Sequence, residues 1–177
     1  MKKIPFTRPT IDEETIQGVV EVLRSGWVAS GPNVVAFEAA LSKYLGGRPV
    51  RTQTSATASM EMALLACGIG AGDEVITPAM SFVATANVIV RTGARPIFVE
   101  VGLDSRNMDM GAMEAAITPR TRAILPVHFA GLPVDMDRLY DIAGRHRLRV
   151  IEDAAHAIGS AWRGKRIGSF GEYIGNA

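Results

Sequence analysis

Four short β-rich runs recur between residues 74 and 154, and a helical stretch precedes each one. The runs are "EVITP" (74–78), "RPIFVEV" (95–101), "RAILPVH" (122–128) and "RVIEDA" (149–154). The helical stretches are "SATASMEMALLACG", "SFVATANVIVRTG", "DMGAMEAAI" and "DMDRLYDIAGRH". This alternation limits the fold more than any other feature. Parallel neighbours need a long crossover, usually a helix, and strands this apolar must be covered on both faces. The expected class is α/β, a three-layer αβα arrangement around a mostly parallel sheet.

The first 47 residues read differently. Thr10 followed by Glu13 matches a capping box. Ile16, Val19, Val20 and Leu23 then share one helical face, and Gly26 stops the helix. After "GWVASGP", a second helix places Phe37, Leu41, Tyr44 and Leu45 on one side and ends at Gly46 and Gly47. Residues 1–47 are therefore expected as a helical segment, with the α/β body in 48–177. "GIGAG" (68–72) follows a helix and precedes a strand, the reverse of a dinucleotide fingerprint, so it reads as a helix stop and turn. The final stretch predicts a hairpin around Arg163-Gly164-Lys165 and then a glycine-rich approach with no closing strand. That ending leads us to expect the N-terminal portion of a longer protein.

Composition narrows the function classes. A net charge of +1 with interspersed acids and bases gives no nucleic-acid tract and no polybasic membrane patch. No apolar run approaches the ~20 residues that span a bilayer. "MKKIPFTRPT" has no apolar core and is interrupted by Pro5 and Pro9, so it does not read as a signal peptide. Cys67 is the single cysteine, which leaves no internal disulfide and no cysteine-based zinc cluster. A cytoplasmic setting is expected.

Ligands in open parallel sheets bind at the carboxyl ends of strands. That rule gathers Pro78 to Phe82, His128 and Asp153 to His156 along one edge. The helix opening at Ser55-Ala56-Thr57 should direct its free N–H groups there, as a phosphate site or as a plain N-cap. Phe82 is either a core aromatic or a flat plate for a ligand ring. His128 reads first as a hydrogen-bonded core histidine, His146 as a helix C-terminal residue, and Cys67 as packing.

The stretch "VIEDAAHAIGS" drives Glu152 and Asp153 into the end of a buried strand, where an unpaired charge is costly. Three readings follow for Asp153. It could join Glu152, His128 and His156 in a metal site, although nothing else supplies ligand spacing. It could pair with an arginine. It could accept a hydrogen bond from a protonated ring nitrogen, as in pyridoxal phosphate enzymes. The third reading unites the phosphate site, the aromatic plate and Asp153.

The order "SGW…GP", "SATASM", "GDEVITPAMSFVATAN", "ITPRTRAILPVHFAG", "VIEDAAHAIGS" and "GKRIGSFG" resembles the DegT/StrS-type family of pyridoxal-phosphate sugar aminotransferases. The resemblance runs from about Pro5 to Gly171. Many members have Ser-Gly-Thr where this chain has Ser55-Ala56-Thr57. The alanine form is similar to the UDP-4-amino-4-deoxy-L-arabinose–oxoglutarate aminotransferase branch. The resemblance implies a type I aminotransferase fold, with 48–177 as an incomplete cofactor-binding large domain, and a homodimer. It implies pyridoxal 5'-phosphate as cofactor, a nucleotide-linked keto sugar and glutamate as partners, and a place in polysaccharide biosynthesis. Ser55, Ala56 and Thr57 would hold the cofactor phosphate, Phe82 would stack on the ring, Asp153 would bind the pyridine nitrogen, and His156 would lie near the ring hydroxyl.

The chain departs from the family in one respect. The family's Schiff-base lysine, which holds the cofactor and moves protons, follows shortly after "GSFG", and the chain reaches Ala177 before that segment. A phosphate-binding serine expected before that lysine is also missing, and Tyr173 is a local difference in the approach to it. The lysines present are Lys2, Lys3, Lys43 and Lys165, the last expected at a solvated hairpin tip. No catalytic residue is therefore assigned within the chain, which by itself is expected to be inactive. Rival readings are a dehydratase of the same family with histidine in place of the lysine, a non-catalytic fragment or regulatory binding module, and a metal-dependent hydrolase.

Overall fold

The computed structural model describes residues 8–171. The readings above that concern Lys2, Lys3, Pro5 and Tyr173 fall outside them. Two helices come first, α1 (Glu13–Ser25) and α2 (Pro32–Tyr44). The body then alternates: α3 (Ala56–Ala66), β1 (Glu74–Pro78), α4 (Val83–Arg91), β2 (Arg95–Val99), α5 (Met110–Ala115), β3 (Thr121–Ile124), α6 (Met136–His146) and β4 (Arg149–Val150). A short hairpin follows, β5 (Ala161–Trp162) and β6 (Lys165–Arg166), turning at Arg163 and Gly164.

The four body strands form a parallel sheet in the order β2-β1-β3-β4. β2 lies on one side of β1, while β3 and β4 lie on the other, so the chain switches direction between β1 and β3. Ligand crevices in such sheets open at that switch, beyond the strand carboxyl ends. β3 and β4 are shorter than expected as ladders, yet their pairing continues. Ile151 N–H donates to Ile124 O (3.0 Å), Asp153 N–H to Pro126 O (2.9 Å) and His128 N–H to Asp153 O (3.1 Å).

Side chains alternate across the sheet with the strand's period of two. Ile76, Ile124 and Val150 face one side, where Met113 of α5 and Met136, Leu139 and Ile142 of α6 cover them. Val75, Ala123, Leu125 and Ile151 face the other, under Met60 and Leu64 of α3 and Val88 and Ile89 of α4. The three-layer arrangement is thus formed by two separate apolar layers. Edge strand β2 is the exception to full coverage: Phe98 is exposed.

The N-terminal helices differ from expectation in two ways. The N-cap of α1 is Asp12, whose carboxylate accepts from Thr15 N–H (2.8 Å), and not Thr10. Starting the helix at Glu13 puts Glu13 and Glu14 in the first turn, where the helix dipole favours negative charge. The Ile16, Val19 and Leu23 face forms as read but stays exposed, and neither α1 nor α2 holds a buried residue. α2 is fastened at both sides. Glu38 accepts from Thr52 N–H (2.9 Å) and hydroxyl (3.1 Å), and the Arg166 guanidinium sits 3.6 Å from the Tyr44 ring centre.

Glu74 anchors the opposite end of the sheet. It is buried, and its carboxylate accepts from the Thr118 hydroxyl (2.6 Å) and from Arg120 (2.8 and 3.0 Å). Thr118, Arg120 and the charge of Arg95 hold it below the ordinary value of 4.5 against the opposing effect of burial. A depressed carboxylate stabilises the fold above its unfolded value, and that contribution disappears as pH falls through the folded one. Glu74→Gln should therefore melt lower than wild type near pH 6, and the gap should narrow as the pH drops below about 4.5. Thermal melts across that range check it.

Candidate functional site

Beyond Val150, the last residue of β4, the extended chain continues through Ile151, Glu152 and Asp153, and the alternation carries through all four. Val150 belongs to the α5/α6 layer and Ile151 to the α3/α4 layer. Glu152 follows Val150 to the α6 side and Asp153 follows Ile151 to the α4 side. Both are buried, at 0% and 7% exposure. Two neighbouring carboxylates thus meet two unrelated environments.

Glu152 is satisfied inside the protein. Tyr140 of α6 donates its hydroxyl to Oε1, and His128 Nε2 lies 3.0 Å from Oε2. His128 Nδ1 accepts from Val134 N–H (3.2 Å), so that nitrogen carries no proton and Nε2–H must be the donor to Glu152. Burial, then the Glu152 charge, push the Tyr140 hydroxyl far above its ordinary value of 10.0, so it stays a donor. His128 is therefore the hydrogen-bonded core residue that its sequence position suggested. Glu152 and His128 lie on the face away from the Asp153 carboxylate, so the weighed metal reading does not assemble. Among the described residues, no group of three His, Cys, Asp or Glu side chains is placed to hold a metal.

Asp153 has a different set of partners. Oδ2 accepts from the buried Thr85 hydroxyl of α4 (2.8 Å), and Oδ1 accepts from Ala155 N–H at a long 3.3 Å. Among the described residues no arginine or lysine reaches ion-pair distance. The arginine pairing considered for it is therefore absent. A buried carboxylate with only neutral donors is unusual, because burial of charge calls for a compensating charge. The group has room for one more donor, and a cationic one suits it best.

The remaining sequence candidates lie on the same edge. α4 joins the parallel strands β1 and β2 and so runs back against them, beginning at the strand carboxyl ends; α3 packs in the same layer and ends a short turn before the start of β1, which sends its own start towards that edge. Ser55 caps α3, accepting from Ala58 N–H (3.2 Å). Among the described residues no acceptor stands against the N–H groups of Ala56 and Thr57, at the positive end of the helix dipole. Phe82 is the N-cap residue of α4 and is 74% exposed, so it is no core aromatic. His156 is exposed on the turn after Asp153. Lys165 belongs to the other side: its Nζ sits 4.7 Å from the Phe170 ring centre, and Phe170 stacks on Tyr140 at 6.1 Å.

Sequence reasoning missed Thr85 and Ser81 as partners of this site. The available signal was a pair of hydroxyls four residues apart in the otherwise apolar "SFVATA", which the entry into α4 brings together. It also missed Tyr140, whose role depends on α6 packing against the end of β4.

The set fits a phosphorylated, cationic aromatic ring. Open helix N–H groups suit the phosphate, an exposed ring suits stacking, and an uncompensated buried carboxylate suits a ring N–H. Comparisons with known proteins point the same way. A family profile described as the DegT/DnrJ/EryC1/StrS aminotransferase family matches residues 9–174. A UDP-4-amino-4-deoxy-L-arabinose–oxoglutarate aminotransferase from Shewanella sediminis is 46% identical over 168 residues, 95% of this chain and 43% of its own length. Among solved structures, a sugar aminotransferase from Streptococcus pneumoniae in its PLP form superposes with a TM-score of 0.91 at 38% identity, covering 95% of this chain and 47% of that one. DesV from S. venezuelae, in complex with a ketimine intermediate, gives 0.82 at 42% identity, covering 89% and 42%. The chain thus spans less than half the length of these relatives, and its fold is that of the matched part of the solved structures.

Two outcomes follow from the opposed carboxylates. Tyr140→Phe strips one donor from buried Glu152 and should cost about 1–3 kcal/mol in a denaturant melt. Borohydride reduction with pyridoxal phosphate should leave no stoichiometric label on Lys165, which peptide mass mapping reads directly.

Proposed function

This chain belongs to the DegT/DnrJ/EryC1/StrS aminotransferase family, and from that premise we propose that the whole protein aminates the keto group of a nucleotide-linked sugar. In this reading glutamate is the amino donor, pyridoxal 5'-phosphate is the cofactor, and residues 48–177 form most of the cofactor-holding surface. The observation that carries the proposal is Asp153, a buried carboxylate whose donors within the described residues are all neutral. The nucleotide-sugar substrate is supported by the name of the Shewanella relative. A homodimer belongs to the same reading, supported by the exposed apolar residues Ile16, Val19, Leu23, Trp27 and Val28. So does the cytoplasmic setting expected from the sequence.

Each residue has a physical task. The Ala56 and Thr57 N–H groups and the Thr57 hydroxyl bind the phosphate at the start of α3, with Ser55 closing that helix end. Phe82 supplies a flat apolar face to the ring. Asp153 holds the proton on the ring nitrogen. His156, exposed on the turn after Asp153, would serve the ring hydroxyl. When bound, the cofactor supplies an electron sink for the pair released as the donor's C–H proton departs. A lysine outside these residues is the base that moves the proton in this reading. Glu152, locked to His128 and Tyr140, keeps the strand end rigid so that Asp153 does not drift.

Asp153→Asn keeps the size and removes the charge. An interaction stronger in the transition state than in the ground state affects rate more than binding. In the whole protein the glutamate half-reaction should slow by about 10²-fold or more, with a smaller loss of cofactor retention. Stopped-flow half-reaction kinetics beside equilibrium dialysis give both numbers. A half-reaction at the wild-type rate would overturn the proposal.

A further inference from the structure

Resting on that reading, we propose that Thr85 is a positioning residue for Asp153, and that Ser81 directs the Thr85 proton. Thr85 lies in the first turn of α4, fully buried, with its hydroxyl 2.8 Å from Asp153 Oδ2. A helical threonine commonly turns its hydroxyl back to a carbonyl of the preceding turn. Here it points across the layer to a residue 68 positions away.

Proton counting fixes the direction of the chain. An ionised carboxylate only accepts, so Thr85 must donate to Oδ2. A hydroxyl has one proton, and that one is now committed. The 2.6 Å contact between Ser81 and Thr85 therefore has Ser81 as donor. The relay runs Ser81 to Thr85 to Asp153 Oδ2, and it pins the carboxylate plane. Among the described residues Oδ1 has only the long 3.3 Å contact with Ala155 N–H, which makes it the oxygen that meets a ring N–H. Without Thr85 the carboxylate could rotate, and both oxygens would compete for the same donor.

A purely structural threonine predicts something else. Its loss would lower stability equally with and without ligand and would leave the bound ring unchanged. The probe that separates the two is pyridoxamine 5'-phosphate carrying ¹⁵N at the ring nitrogen. It is added to the whole protein and read by calorimetry for affinity and by NMR for the ring nitrogen. Thr85→Val should weaken binding about tenfold, the order expected for one hydrogen bond to a charged group, and should move the nitrogen signal away from its wild-type position. Thr85→Ser should restore both. Ser81→Ala should do less, about threefold, because it removes only the directing donor.

Thr85→Val with wild-type affinity and signal would overturn the positioning role, while a protonated ring nitrogen in the wild type would leave the Asp153 reading standing. An unprotonated ring nitrogen in the wild type would overturn both. Should Thr85→Val fail to fold, Ser81→Ala decides: unchanged affinity and signal there would overturn the relay.

Discussion

The period-two alternation at the end of β4 is the constraint on which the candidate site depends. It turns two adjacent carboxylates into groups with unrelated partners. Glu152 enters a layer where Tyr140 and His128 are waiting, and Asp153 enters one where Thr85 is the nearest donor. A one-residue slip of this strand would exchange the two faces, because each side chain would change sides. Register here is held from both directions: Val150 and Ile151 are fully buried in separate apolar layers, and the backbone bonds to Ile124, Pro126 and His128 continue beyond the formal strand.

The two environments are complementary in rigidity and reactivity. The Glu152 side is closed. Its donors are neutral and internal, and the histidine tautomer is set by a backbone N–H. The Asp153 side is left with acceptor capacity at the edge of the sheet. Removal of a partner from a buried polar group costs its full desolvation, so the Glu152 network resists rearrangement. Asp153 is joined to that network by a single peptide. The shared edge then collects the start of α4, brought there by the β1–β2 crossover with the exposed Phe82 ring, and the start of α3 with two open N–H groups.

The N-terminal helices show a different balance. α1 has the pattern of a core-facing helix, yet Ile16, Val19 and Leu23 are exposed, and Trp27 and Val28 extend the apolar surface beyond it. An exposed apolar run of this kind is what an interaction face needs, and in the reading proposed above it is part of the homodimer surface. α2, in contrast, is joined to the body by directed contacts from Glu38 to Thr52 and from Tyr44 to Arg166 rather than by burial.

Much of the body was legible in the sequence because its signals are local. The run "EVITP" became a strand with the bounds read from it, the other three runs became shorter strands at the expected places, and Gly26 and Gly68 stop helices at positive φ, where glycine carries little strain. Local signals fail where two residues can do the same job: Thr10 and Asp12 are both able caps, and the choice fell to Asp12. They fail more completely for burial, as the exposed face of α1 shows. The sequence by itself determined that an acidic pair stands at the end of a buried strand, beside a hydroxyl-opened helix and an aromatic residue. Only the tertiary structure decided which acid faces which layer, that Thr85 and not an arginine meets Asp153, and that Tyr140 and His128 close around Glu152. Those partners are joined through space by helix packing, and no spacing along the chain encodes the direction in which a packed side chain will point.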